Sequence, residues 1–413
     1  MHSSKIGFGM KADNGAMKSV LDQWTLAEPS RIGAAPLEYS VALLRTLDEI
    51  EPVWRVLEQC GDATVFQAFD TFAAWTRHIA RAYEGEWFVV AVRNLETRRP
   101  AMLLPLVLQV RGKLAVIEAA DLGVCDFNGP VLERGFLPTR EEMTRIWRDV
   151  RALLPTADVI CLTKMPAVIG THPNPLLLLG ASHRIALSNY KTPLGRDWTR
   201  AALPEKVRAD LDVRRRKLEK IGTVSFRSAR TEAEADSFYA AMIEQRGARS
   251  AATGRSNILD CISHRQFYRA LLTPEAETSV ACIQALLVDD EIVATGFGLV
   301  SDEAFHMIFP TFKAERWRNY SPGMQLFVES MCWAAARGIA YYDFTIGGEE
   351  FKMTLGAVEF PLYAHLEPLT LRGVPTVYRE RLWRAMGSNA RLRAVVHKAR
   401  AILQRRTLGK PAP

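Results

Sequence analysis

Three apolar runs in the second half of the chain, Val280 to Val288, Ile292 to Val300 and Ala304 to Phe309, are separated only by Asp289-Asp290-Glu291 and Ser301-Asp302-Glu303. Short polar connections of this kind make antiparallel hairpins, so the pattern predicts a three-stranded meander. After Arg318 the period becomes helical. Met324, Phe327, Val328, Met331 and Ala335 fall on one face of a helix running from Pro322 to Arg337, and Gly338 stops it. The strand Ile339 to Phe344 follows, and a strand after a crossover helix joins its sheet in parallel. Upstream, Thr231-x-x-Glu234 reads as a capping box ahead of Phe238, Tyr239, Met242 and Ile243. Ser263-x-x-Gln266 reads as another ahead of Phe267 and Leu271, so two helices precede the meander.

The first half repeats this order. Trp87 to Arg93, Ala101 to Val110 and Leu114 to Ala119 form a meander, and a helix from Thr139 to Leu154 leads to the strand Asp158 to Thr163. Strand, strand, strand, helix, strand in both halves predicts a duplicated α/β fold of the α+β type, each unit a mostly antiparallel mixed sheet flanked by helices. The expected division is a tail over 1–36, a first unit over 37–200, a second over 201–370 and basic helices over 371–413. Between the units, Pro204 to Ile221 is a basic helix carrying Lys206, Arg208, Arg214, Arg215, Arg216, Lys217 and Lys220.

With 413 residues, the chain is long enough to divide its core. The net charge of +7 suits a substrate or surface bearing phosphate or carboxylate. The six cysteines are scattered and no histidines cluster, so neither a zinc site nor a disulfide framework is indicated, and a reducing cytoplasm fits best. No apolar run reaches the roughly 18 to 20 residues of a membrane span. Tyr378, Leu382, Trp383 and Met386 form one apolar stripe and Leu392, Val395, Val396, Ala399 and Leu403 another, with arginines on the remaining faces. They read either as membrane-surface helices or as a hairpin packed on the core.

Candidate chemistry gathers around Arg318-Asn319-Tyr320-Ser321-Pro322-Gly323. A helix start there offers unpaired N–H groups to an anion, with Ser321 at the N-cap, Pro322 at the first helical position and Arg318 within reach of the same group. His306 lies on the third strand of the meander, with Ala304 and Ile308 on its face and Phe305, Met307 and Phe309 on the other; it is a candidate base. Asp343, among Tyr341, Tyr342 and Phe344, would be costly to bury without a function or a partner such as Lys352 or an arginine of the basic helix. Glu349 and Glu350 follow the flexible Gly347-Gly348, and Tyr342 or Tyr320 could protonate a leaving group.

Two helices, a meander, a phosphate-type loop opening a helix and a splayed parallel strand together resemble the GNAT acyltransferases. More closely, Arg214-Arg215-Arg216-Lys217-Leu218-Glu219, Tyr320-Ser321-Pro322-Gly323 and Tyr342-Asp343-Phe344 with Phe351-Lys352 are similar to the CelD-like, FemAB-related branch, which is associated with exopolysaccharide and cell-envelope synthesis. The resemblance implies acyl transfer to an amine or hydroxyl of an amino sugar or other envelope precursor, cytoplasmic or at the inner membrane face. The implied donor is acetyl-CoA or another acyl-CoA, or alternatively charged tRNA; a non-catalytic role in a synthase assembly is a third reading. It assigns Asp343, His306, Tyr342 and Glu349 to catalysis, Arg318, Tyr320, Ser321, Gly323 and Met324 to the donor, and Lys352, Arg214 and Lys217 to the substrate. No metal is implied. Where GNAT enzymes carry Arg/Gln-x-x-Gly-x-Gly/Ala, this chain has Arg-x-x-Ser-Pro-Gly, replacing one glycine and removing one N–H donor.

Overall fold

The computed structural model describes residues 38–274 and 279–387, with only the backbone of 383–387. The predicted tail over 1–36 and the second apolar stripe from Leu392 to Leu403 lie outside them. In the first half, the strands are β1 (Tyr39–Leu44), β2 (Glu86–Asn94), β3 (Pro100–Arg111), β4 (Leu114–Ala119), β5 (Val159–Pro166) and β6 (Ser182–Pro193). The second half contributes β7 (Val224–Ser228), β8 (Ala281–Val288), β9 (Glu291–Val300), β10 (Ala304–Phe312), β11 (Tyr341–Ile346) and β12 (Val358–Pro368). The helices are α1 (Leu47–Cys60), α2 (Phe69–Trp75), α3 (Arg140–Leu153), α4 (Glu205–Glu219), α5 (Glu232–Thr253), α6 (Ile262–Ala270), α7 (Pro322–Ala336), α8 (Glu350–Thr354) and α9 (Val374–Gly387).

These twelve strands join one continuous sheet in the order β1-β2-β3-β4-β5-β12-β6-β11-β10-β9-β8-β7, and two short strands, Gly61–Asp62 and Val131–Glu133, pair beside it to make fourteen. The order is a palindrome: reading from either edge gives the same sequence of equivalent strands until the centre. There the halves exchange partners. Strand β12 of the second half lies against β5 of the first, β6 of the first lies against β11 of the second, and β6 and β12 pair antiparallel. Only β4 with β5 and β10 with β11 run parallel, each pair joined by a crossover helix, α3 or α7. The duplicated order expected from the sequence is present. The leading strands β1 and β7 and the exchanged pair are additions to it.

Strand alternation explains which helix lies where. Ile283, Ala285 and Leu287 of β8 join Phe238, Tyr239 and Met242 of α5 in a cluster that also contains Trp54, Phe72 and Trp75 of the first half. Leu286 and Val288, on the opposite face, pack with Leu326 of α7. One face of the sheet thus carries α1, α2, α5 and α6 over a core shared by both halves, and the other carries α3 and α7. Each large buried side chain contributes roughly 1.5 to 3 kcal/mol, so the shared cluster ties the halves together in addition to the exchanged strands.

Two local expectations are corrected. Ser263 does not cap its helix: α6 begins two residues earlier with Cys261 at the N-cap, and the Ser263 hydroxyl sits 3.1 Å from the Cys261 sulfur. Phe309 does not share a face with Phe305 and Met307. Phe297 pairs with Phe309 and Gly298 with Met307, leaving Ile308 as an extra residue in a β-bulge. The bulge inverts the alternation, so Phe309 packs in the shared core beside Tyr268 while Phe305 and Met307 face α7.

Because β6 and β12 complete each other's halves, fragments 38–200 and 205–387 should be insoluble or monomerically unfolded when produced alone and should reassemble when produced together. Cooperative urea unfolding of the isolated second fragment as a monomer would contradict this.

Candidate active site

Strands β10 and β11 pair over only three positions, Ala304 with Tyr341, Phe305 with Tyr342 and His306 with Asp343. Beyond His306, the bulge at Ile308 turns β10 away and Thr345 takes a left-handed φ of 59°. The strands therefore part immediately after the His306 and Asp343 pair, which forms the vertex of the splay. On parallel strands, directly paired residues project from the same face. His306 Nδ1 lies 3.1 Å from Asp343 Oδ2, close enough for an ion pair but off the line of a directional hydrogen bond.

Asp343 is fully buried. Its Oδ1 accepts the Thr345 N–H at 2.7 Å and its Oδ2 accepts the Asn189 amide at 3.0 Å, with Lys191 Nζ at 3.7 Å. Asn189 and Lys191 both lie on the exchanged strand β6. Burial alone would raise the Asp343 carboxyl; facing His306, then Lys191 and the Thr345 N–H outweigh it and hold the group below its ordinary value. Lys191 is surrounded by the rings of Phe127, Tyr341 and Phe360 at 5.7 to 6.0 Å. A second carboxyl, Asp126 from the first half, lies near Thr345; burial raises its pKa against the pull of Lys164.

Two cavities flank the vertex. One of about 370 Å³ fills the splay, with Phe327, Phe344 and Phe351 on its α7 side and Arg246, Arg249 and Arg255 on its α5 side. The other, about 240 Å³, lies between the halves and is lined by His306, Lys191, Asn189, Tyr341, Phe127 and Phe360. His306 thus has one ring edge toward Asp343 and borders open space.

The start of α7 is held open. Ser321 occupies the N-cap with φ 51° and ψ 50°, a left-handed conformation that non-glycine residues rarely adopt, and its side chain makes no capping bond. The expected serine cap is therefore absent, and Ser321 keeps the backbone shape that glycine would supply. Helix geometry gives the first-turn N–H groups of Gly323 and Met324 no carbonyl partner. Neighbouring contacts brace this loop. Buried Trp317 donates to Glu291 at 2.9 Å, Arg214 Nη1 donates to the Asn319 carbonyl at 2.8 Å, and Gln325 donates to the Leu211 carbonyl at 2.7 Å. Hydrogen bonds from Trp317, Lys313 and Arg316 overcome burial and bring Glu291 to a pKa of about 2.

The equivalent positions in the first half differ. At the start of α3, Thr139 and Glu142 close a full capping box, Glu142 accepting the Thr139 N–H at 2.8 Å and Thr139 accepting the Glu142 N–H at 3.2 Å. An acidic side chain thus fills the place an anion would take. In the β4 and β5 ladder, Glu118 and Cys161 hold the third paired position, where β10 and β11 have His306 and Asp343. Burial pushes the Cys161 thiol up to about 12.

Of the residues singled out in the sequence, His306 and Asp343 meet at the vertex, and Glu349 lines the splay. Ser321, Gly323 and Met324 open α7 beside the exposed Arg318, while Tyr320 lies edge-on to Trp317 with centroids 6.2 Å apart. Tyr342 points to the α7 face, fully buried, its hydroxyl donating to Ser330 at 3.1 Å. Lys352 is buried and donates to the carbonyls of Ile346 and Gly347 at 3.1 and 2.8 Å, with Glu349 at 3.0 Å, so it fastens the turn after β11 and is not the partner of Asp343. Arg214 braces the loop and Lys217 is exposed on α4. Asn189, Lys191, Asp126 and Arg246 were not anticipated. The Arg246-x-x-Arg249 spacing was the one available signal.

The depressed Asp343 carboxyl adds stability that is fully present above about pH 5 and is lost progressively as pH falls through its lowered folded-state pKa. Asp343→Asn should lower stability by about 3 kcal/mol at pH 7 and by less near pH 3. Urea unfolding at both pH values checks this; equal losses would contradict it.

Residues 205–353 match the family described as the acetyltransferase (GNAT) domain. No curated protein matches the chain in sequence. Among solved structures, FemX is similar in fold, at 12% identity and a TM-score of 0.52 over 82% of this chain and 98% of that one. A conserved protein of unknown function from Bacteroides thetaiotaomicron is similar over 80% of this chain and 100% of its own, at 12% identity and a TM-score of 0.51. The second half thus matches the GNAT acetyltransferase domain over residues 205–353, within a duplicated mixed-sheet fold similar to that of FemX.

Proposed function

We propose that the second half transfers an acyl group from an acyl-coenzyme A to an amine or hydroxyl of an amino sugar or related cell-envelope precursor. The observation that carries this reading is the difference between the halves: an open helix start, a bulged splay and a His306–Asp343 pair coincide in the second and are all missing from the first. The Gly323 and Met324 N–H groups and Arg318 would hold the donor's diphosphate. Ser321 supplies the left-handed backbone that the missing glycine would have given, and Pro322 withholds one N–H donor, so the residues fit a diphosphate with fewer amide contacts than the family pattern offers.

In the proposed reaction the acceptor nitrogen or oxygen attacks the thioester carbon, the new C–N or C–O bond replaces the C–S bond, and the thiolate leaves. His306 takes the proton released by the nucleophile. Asp343, with no exposed surface, touches no substrate; it positions His306 and places a negative charge beside the ring as positive charge develops there. Asn189 and the Thr345 N–H fix the carboxylate for that task. A second reading, an aminoacyl donor carried on tRNA, is favoured by one observation: Pro322 removes an amide from the helix start. Exposed Arg216 and Lys217 on α4 and Lys220 at its C-cap would then meet the nucleic acid.

Calorimetric titration should show acetyl-CoA binding, with Arg318→Ala weakening it about fivefold or more at low salt and less at high salt. No heat at millimolar acetyl-CoA would overturn the coenzyme A reading in favour of the tRNA one. With an accepted amine in hand, His306→Gln should lower kcat about 100-fold or more with KM nearly unchanged and remove the acid limb of the pH profile. A near-normal kcat would return His306 to the core.

A further inference from the structure

Arg246 is a half-buried cation with no anion opposite it. Its guanidinium lies 4.5 Å over the ring of Phe309, and its Nε donates to Asn257 Oδ1 at 3.1 Å. Among the described residues no carboxylate comes within ion-pair distance of it; the nearby Asp260 is engaged by the Asn257 amide at 3.0 Å. A desolvated charge without a counter-ion costs free energy, and proteins ordinarily pair such groups. Burial, and then the neighbouring Arg249, pull the Arg246 pKa down, the expected mark of a cation that lacks a partner.

The surroundings add charge of the same sign. Arg249 is three residues further along α5, on the same helix face, and lines the same cavity. Gly254 ends α5 with a left-handed φ of 64°, which turns the chain so that Arg255 and Asn257 return to the same wall. On the far wall Glu349 lies within the field of Arg249 but is ion-paired to Lys352 at 3.0 Å, and among the described residues no carboxylate forms an ion pair with any of the three arginines. Guanidinium groups are planar donors suited to bidentate contact with oxyanions. This wall lies on the α5 face of the splay, whereas the open helix start belongs to α7 on the opposite face.

We infer that Arg246, Arg249 and Arg255 form a subsite for a phosphate or diphosphate group carried by the acceptor, so that the acceptor is a phosphorylated or diphosphate-linked compound. The acceptor's role rests on the acyl-transfer reading above; the binding of an oxyanion there does not. The phosphate would sit on the α5 wall, leaving the rest of the acceptor to reach the vertex, while the donor's own diphosphate is held across the sheet.

The full chain is titrated calorimetrically with inorganic pyrophosphate, glucosamine 1-phosphate and glucosamine, each with and without saturating coenzyme A. Pyrophosphate and glucosamine 1-phosphate should bind and glucosamine should not. Coenzyme A should leave this binding in place. Arg246→Ala should weaken it at least about tenfold, the loss of a charge-assisted hydrogen bond. The double variant Arg249→Ala/Arg255→Ala, whose residues are exposed, should do the same and keeps the test valid should Arg246→Ala fail to fold. Unchanged pyrophosphate affinity in both variants overturns the subsite, as does displacement of arginine-dependent pyrophosphate by coenzyme A. Absence of coenzyme A binding alongside arginine-dependent pyrophosphate binding would remove the coenzyme A reading and leave the subsite standing.

Discussion

A carboxylate with no exposed surface remains charged only if the structure surrounds it with donors and opposite charge, and Asp343 draws these from both halves of the chain. His306 comes from the neighbouring parallel strand, the Thr345 N–H from its own strand, and Asn189 and Lys191 from a strand that belongs to the other half. The exchange of β6 and β12 is what makes the last two contacts possible. Without it, β11 would be an edge strand and its aspartate would face either water or apolar side chains, so the continuity of the sheet and the electrostatics of the vertex are one constraint.

Duplication followed by divergence of the halves accounts for the remaining architecture. Both halves keep the strand order, the crossover helix and a parallel pair that separates after three rungs. At the third rung the second half places histidine and aspartate and the first places glutamate and cysteine. At the helix that follows, the second half leaves the first turn open behind a left-handed Ser321, while the first closes it with Glu142. The first half instead supplies cover and charge: Phe66 and Phe127 pack edge-on against the His306 ring, and the buried Asp126 lies within the field of Asp343.

Much of this was legible in the chain, and the reasons for the gaps are specific. The meander from Ala281 to Phe312, the helix α7 and the strand after it are set by local periodicity, which is why their bounds fall within a few residues of expectation. Strands β6 and β12 were not legible because each is completed by the other half, and pairing at that separation leaves no local pattern. The bulge at Ile308 was invisible for a related reason: it is defined by what β9 does opposite it. Ser263 satisfied a capping pattern yet lost the position to Cys261. Asp343 and His306 stood out as polar residues in apolar strands, but Asn189 and Lys191, in a strand of mixed polarity, did not. Arg246 and Arg249 looked like any solvated helix face until Phe309 and the cavity were placed beneath them.

The central claim is that the open start of α7, and not the closed start of α3, receives the donor. Amide hydrogen exchange on the full chain with and without saturating coenzyme A reads both helix starts in one experiment. Protection should rise at Ser321, Gly323, Met324 and Gln325 and stay unchanged over Arg140 to Met143. Protection at the start of α3, or none at either helix, would contradict the account.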